Sequence, residues 1–110
     1  MLEIYNGRMD ALTKMKLNRI TSLAAFVLNC DYNTLIHPYK DSDSKIFCAL
    51  LADTELKLSN RVLAKFYKIN PGYLVKRSEM MAEKILINDS LWMKFEKAKS
   101  IWDQTLVENA

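Results

Sequence analysis

The chain has only two glycines, Gly7 and Gly72, and two prolines, Pro38 and Pro71, in 110 residues. Tight hairpins need glycine at their corners, and glycine and proline punctuate short strands. A strand-rich fold would lack its corner residues here, so long helices are favoured. Half the residues are hydrophobic and 26% are charged, as in ordinary globular domains. A chain of this length buries about two-thirds of its unfolded surface, enough for one self-sufficient core. Residues 1–110 therefore read as a single helical domain.

Apolar spacing divides the chain into successive helices. A first is expected over residues 2–12, weakened by Gly7. A second is expected over 19–28, capped by Asn18, with Ile20, Leu23, Ala24, Val27 and Leu28 recurring at helical spacing. CDYNTLIHPYKDSDS reads as a connector with one short turn capped by Asp31 and closed by Pro38. Ser42 or Ser44 is a candidate cap for KIFCALLADTEL, and Ser59 for NRVLAKFYK. Asn70 followed by Pro71 is a strong start signal for a helix to about residue 87. Asn88 and Asp89 break it, and Asp89 or Ser90 is expected to cap a last helix whose stripe is Leu91, Phe95, Ala98, Ile101, Trp102 and Thr105. The fold class is thus a compact all-α domain of five to six helices.

Several function classes lose their support. No stretch reaches the ~18 apolar residues of a membrane span, and the opening residues lack a signal-peptide core. Cys30 and Cys48 have no metal-ligand spacing and read as free thiols in a cytoplasmic protein. His37, the only histidine, stands beside Pro38 in the polar connector and reads as a surface residue. With two glycines there is no phosphate-cradling loop. No nucleophile–base pair can be placed, so an enzyme is not expected, and no cofactor or metal is implied.

The segment LAKFYKINPGYLVKR carries the functional signal. A helix-turn-helix needs a small residue where the second helix crosses the first, an apolar residue in the turn, and an apolar anchor about five residues later. Ala64, Ile69 and Leu74 fill these roles, with residues 59–87 as the unit and Lys68 where a glycine often sits. Leu74, Ser78, Met81, Ala82 and Ile85 form the inner side of the second helix, and Tyr73, Lys76, Arg77, Met80 and Lys84 the other. Charge concentrates here. Residues 57–84 carry Lys57, Arg61, Lys65, Lys68, Lys76, Arg77 and Lys84 against Glu79 and Glu83, +5 in a chain whose total is +3. Such clustering is an electrostatic footprint for nucleic acid.

Residues 44–104 resemble the C-terminal DNA-binding domain of the bacterial replication initiator DnaA. KIFCALLADTELKLS looks like the helix and LS step that open that family's helix-turn-helix, and VLAKFYKIN like its first helix and turn. YLVKRSEMMAEKILINDSLWMKFEKAKSIW is similar to its closing region, a recognition helix, a short polar step and an amphipathic helix. The resemblance implies a Trp-repressor-like helical fold and binding to duplex DNA in a replication-related or regulatory role. The family's Asp-His-Thr-Thr signature is absent. Asn70, Pro71, Gly72 and Tyr73 stand in its place, so the resemblance carries over no base-reading residue.

The reading that combines these features is a small DNA-binding protein contacting duplex DNA through Lys65, Lys68, Gly72, Tyr73, Lys76, Arg77 and Lys84. Lys and Arg would neutralise phosphates, Arg77 could pair with a guanine, and the amides of Gly72 and Tyr73 at a helix start favour phosphate. The alternative is a helical adaptor of phage or mobile-element type that binds a protein partner, through an apolar patch around Trp92, Met80 or Tyr73, or a second copy, for which Trp92 with Met93 or Leu106 could form the surface.

Overall fold

The computed structural model describes residues 10–38 and 42–108. They form six α-helices and no strand: α1 (Ala11–Leu28), α2 (Tyr32–Ile36), α3 (Asp43–Leu56), α4 (Asn60–Tyr67), α5 (Pro71–Ile87) and α6 (Asp89–Glu108). The all-α expectation holds, at the upper end of the expected helix number.

Local chemistry sets the boundaries. The side chains of Asp10, Asp31, Ser42, Ser59 and Asn70 each accept a backbone N–H from the first turn of the helix they open. These are acceptors for amides that have no partner inside a helix. Asn88 does the same for α6, taking the Leu91 N–H at 3.0 Å, one residue before the expected cap. Three helices end on a left-handed residue: Asn29, Lys57 and Lys68, with φ of 57°, 54° and 58°. The amides at these ends turn back to late carbonyls, as in Ile69 N–H to Ala64 O at 2.9 Å.

The N-terminal half departs from the sequence reading. The helix expected over 2–12 falls mostly on residues 1–9, which lie outside the described residues. Asn18 caps nothing: it sits inside α1, where its side chain accepts from the Tyr32 hydroxyl at 2.7 Å. Asp10 takes over, accepting from the Thr13 amide at 2.7 Å and its hydroxyl at 3.1 Å. Residues 11–18 contain no glycine or proline, so nothing interrupts the helix from this earlier cap.

α3 is the hub, packing against each of the other five helices. Apolar spacing within the helix gives it a stripe of Ile46, Phe47, Leu50 and Leu51. Instead Lys45, Ile46, Phe47, Cys48, Ala49, Leu51 and Ala52 are all buried, and Leu50 is only half-buried. A helix surrounded by others buries most of its circumference. Phe47 meets Phe95 of α6 edge-on, centroids 5.4 Å apart, a preferred aromatic geometry. Lys45 is tolerated because its ammonium donates to the His37 carbonyl, while its stem fills apolar space.

A polar chain crosses the core between α1, α3 and α4. The Thr21 hydroxyl donates to the Leu17 carbonyl at 2.6 Å, which commits its one proton. Tyr67 must then donate to Thr21, 2.9 Å away. Cys48 in turn donates its S–H to the Tyr67 oxygen at 3.2 Å. Each buried donor has an acceptor, so the network avoids the cost of unpaired polar groups. Burial pushes the Cys48 thiol up to about 12 and raises the Tyr67 phenol as well, so both stay protonated.

Candidate nucleic-acid interface

α4, the turn Lys68–Asn70 and α5 follow one another in the chain, and both helices pack against each other and against α3. The three anchoring residues are buried: Ala64 at 3% exposure, Ile69 at 7% and Leu74 at 1%. Burying a leucine fully is worth about 1.5–3 kcal/mol, so Leu74 is a substantial part of what holds α5 down. Leu63 and Tyr67 share the inner side of α4, while Arg61, Lys65 and Lys68 follow at four- and three-residue steps on its exposed side. Lys68 occupies the left-handed position that closes α4, which directs its side chain away from the core.

From Leu56 to Ser78 there is no acidic residue, and six cations: Lys57, Arg61, Lys65, Lys68, Lys76 and Arg77. All are exposed except Arg77. The acid-free stretch covers the end of α3, all of α4, the turn and the first two turns of α5. Lys57 and Arg61 are additions to the site read from sequence. Their charge was visible there: Arg61 shares the exposed side of α4 with Lys65 and Lys68 by spacing, and Lys57 is exposed at the end of α3.

Other expected contacts are modified. The Tyr73 amide is already taken by the Asn70 side chain at 3.1 Å, so of the two amides offered to a phosphate it is engaged in capping. Gly72 is exposed at the start of α5, and a Cβ there would meet only ordinary contact with Asn70. Arg77 is not extended into solvent. Its Nη1 donates to the Tyr73 hydroxyl at 2.6 Å and its Nη2 to Asp43 Oδ1 at 2.6 Å, with the guanidinium 5.3 Å from the Tyr73 ring centroid. Lys84 reaches the other oxygen, Asp43 Oδ2, at 3.1 Å. The Lys84 hydrogen bond, joined by the charges of Lys84 and Arg77, holds the Asp43 carboxyl below the usual carboxylate range. Glu79 and Glu83 are nearer to these cations in sequence, but helix packing puts Asp43 against them. Beyond Ser78, α5 turns mixed in charge, with exposed Glu79, Glu83 and Lys84 among exposed Met80, Leu86 and Ile87.

Elsewhere the chemistry is sparse. Among the described residues no three His, Cys, Asp or Glu side chains gather in a way that could hold a metal ion, and no helix is long and apolar enough to cross a membrane. A cavity of about 190 Å³ between α1, the end of α3 and α6 is lined by Thr13, Lys16, Glu55, Leu56, Leu58, Trp102 and Leu106. Partial burial, with a hydrogen bond and charge from Asp103, raises the Glu55 carboxyl. Trp102 is in the core, as its place on the apolar stripe implied, whereas Trp92 is 45% exposed. Comparison with protein-family models, curated proteins and solved structures gives no match for this chain.

Proposed function

We propose that the chain is a small cytoplasmic DNA-binding protein in which α4, the turn and α5 act as a helix-turn-helix on duplex DNA. The observation that carries the reading is the run of exposed cations Lys57, Arg61, Lys65, Lys68 and Lys76, with no acidic residue between them in sequence, over the buried Ala64, Ile69 and Leu74. In this arrangement the first two turns of α5, with Lys76, approach base edges in the major groove, and Arg77 and Lys84, beside Asp43, face the backbone. Lys57, Arg61, Lys65 and Lys68 meet the phosphate backbone beside it. Glu79 and Glu83 limit groove entry to the N-terminal part of α5. A regulatory or replication-related role follows the DnaA resemblance.

Salt dependence tests this directly. Each phosphate neutralised contributes about 0.9 to the slope of log affinity against log salt. Replacing Arg61, Lys65, Lys68 and Lys76 with glutamine should lower that slope by about 3 to 4. Absence of duplex binding even at low salt would end the proposal.

One observation favours a second reading, a protein-binding adaptor. Leu86 and Ile87 at the end of α5 and Trp92 and Met93 at the start of α6 are 71%, 85%, 45% and 68% exposed. Apolar clusters of this kind mark protein contacts. Light scattering across concentration, with binding insensitive to salt, would support it.

A further inference from the structure

The ion pairs around Asp43 join a carboxylate on α3 to two cations of α5, Arg77 and Lys84, that stand among the DNA contacts expected from the sequence. Arg77 and Lys84 lie seven residues apart, two turns along α5, and converge on the two oxygens of one side chain. Tyr73 steadies Arg77 from the other side through its hydroxyl and its ring. An anion held between a guanidinium and an ammonium is the geometry that also receives a phosphodiester oxygen pair.

This arrangement is not needed to hold α3 against α5. The Asp43 side chain is 60% exposed, that of Lys84 49% and that of Arg77 21%. With the shared carboxylate this open to water, each pair contributes about 0–1 kcal/mol. The two helices are held by apolar packing, with Ile46, Phe47, Leu51, Leu74, Met81 and Ile85 in one buried cluster. Asp43 is therefore exchangeable: its carboxylate can leave without opening the core. Its place in the first turn of α3, where a negative charge is favoured, keeps it close by in either state.

We infer that Arg77, Lys84 and the Tyr73 hydroxyl form a phosphate-binding site whose resident anion is Asp43, which a DNA backbone phosphate must displace. The inference rests on the DNA-binding reading for the identity of the competing anion. Asp43 then lowers affinity and shortens the electrostatic contact set, because two cations are neutralised before DNA arrives.

The test is a fluorescence anisotropy titration of a mixed-sequence duplex at stepped salt, with wild type and Asp43→Asn in two backgrounds, native and Arg77→Gln/Lys84→Gln. Circular dichroism would verify that each variant folds. With the native cations, Asp43→Asn should tighten binding at low salt and steepen the salt slope by about 2. A fourfold rise in salt should then cost it roughly twelvefold more affinity than wild type loses, about 0.9 in the slope per phosphate over two sites. In the glutamine background the same change should have little effect. Unchanged or weaker binding by Asp43→Asn, or equal tightening in both backgrounds, would overturn the inference. A second readout separates its failure from that of the DNA reading. Inorganic pyrophosphate, followed through the amide resonances of Tyr73, Arg77 and Lys84, should bind Asp43→Asn more tightly than wild type. If no variant binds duplex DNA but pyrophosphate behaves this way, the DNA reading falls and the anion site stands. If pyrophosphate binds neither protein at these residues, the site falls.

Discussion

Removing the Thr21 hydroxyl should destabilise the protein more than removing the Tyr67 hydroxyl, although Tyr67 is the larger residue. The reason is the direction of the buried chain, in which Cys48 donates to Tyr67, Tyr67 to Thr21, and Thr21 to Leu17. Thr21→Val leaves the Tyr67 O–H, a strong donor in a residue with 0% exposure, without an acceptor. An orphaned buried donor costs about 1–3 kcal/mol. Tyr67→Phe removes that donor and leaves only an acceptor on Thr21 and the weak Cys48 S–H unmatched, about 1 kcal/mol. In the double variant both partners are apolar, so its cost should fall below the sum of the single ones by about 1 kcal/mol or more. For a domain of this size 1 kcal/mol corresponds to roughly 4 °C in Tm. Thr21→Val should then lie about 4–12 °C below wild type, and Tyr67→Phe about 4 °C below. Urea denaturation followed by circular dichroism provides the free energies. Strict additivity of the two changes, or a larger loss from Tyr67→Phe than from Thr21→Val, would refute the donor assignment.

Three further outcomes follow from single residues. In the native protein a thiol reagent near neutral pH should modify Cys30, which is partly exposed, and spare Cys48, which is fully buried with its thiol pushed up to about 12; Cys48 should react only on unfolding, and equal native rates would contradict its burial. Lys68→Gly should stabilise the fold by about 0.5–1 kcal/mol, because a left-handed lysine is strained and glycine is not; a lower denaturant midpoint would show that the lysine stem makes contacts that outweigh the strain. The raised Glu55 carboxyl has the opposite linkage to a salt-bridged one. Its proton is bound more tightly in the folded state, so its contribution is greatest below the unfolded value near 4.5 and is lost as pH rises through the folded value. Glu55→Gln should therefore flatten the decline of stability with pH in that window, and an unchanged profile would remove Glu55 as its source.

The helical class and most boundaries were legible in the sequence because they depend on near neighbours. Scarce glycine and proline, the Ser59 cap and the Asn70–Pro71 start act within one helical turn. Ala64, Ile69 and Leu74 are buried as their spacing required. Where two local signals competed, the sequence misled: Asn18 is a good cap by type, but Asp10 captures the helix earlier, and Asn88 precedes the caps expected for α6.

What only the tertiary structure decided depends on residues far apart in the chain. The burial of α3 on nearly every side follows from five neighbours that no period within α3 reveals. The join of Thr21 to Tyr67 spans 46 residues. Arg77 and Lys84 share one helical face with Glu79 and Glu83 nearby in sequence, yet Asp43, 34 and 41 residues away, holds both. Side-chain spacing along a helix fixes which residues share a face. It carries no information about which charge from another helix is packed against that face, and at this surface that charge sets how many cations are left for a phosphate.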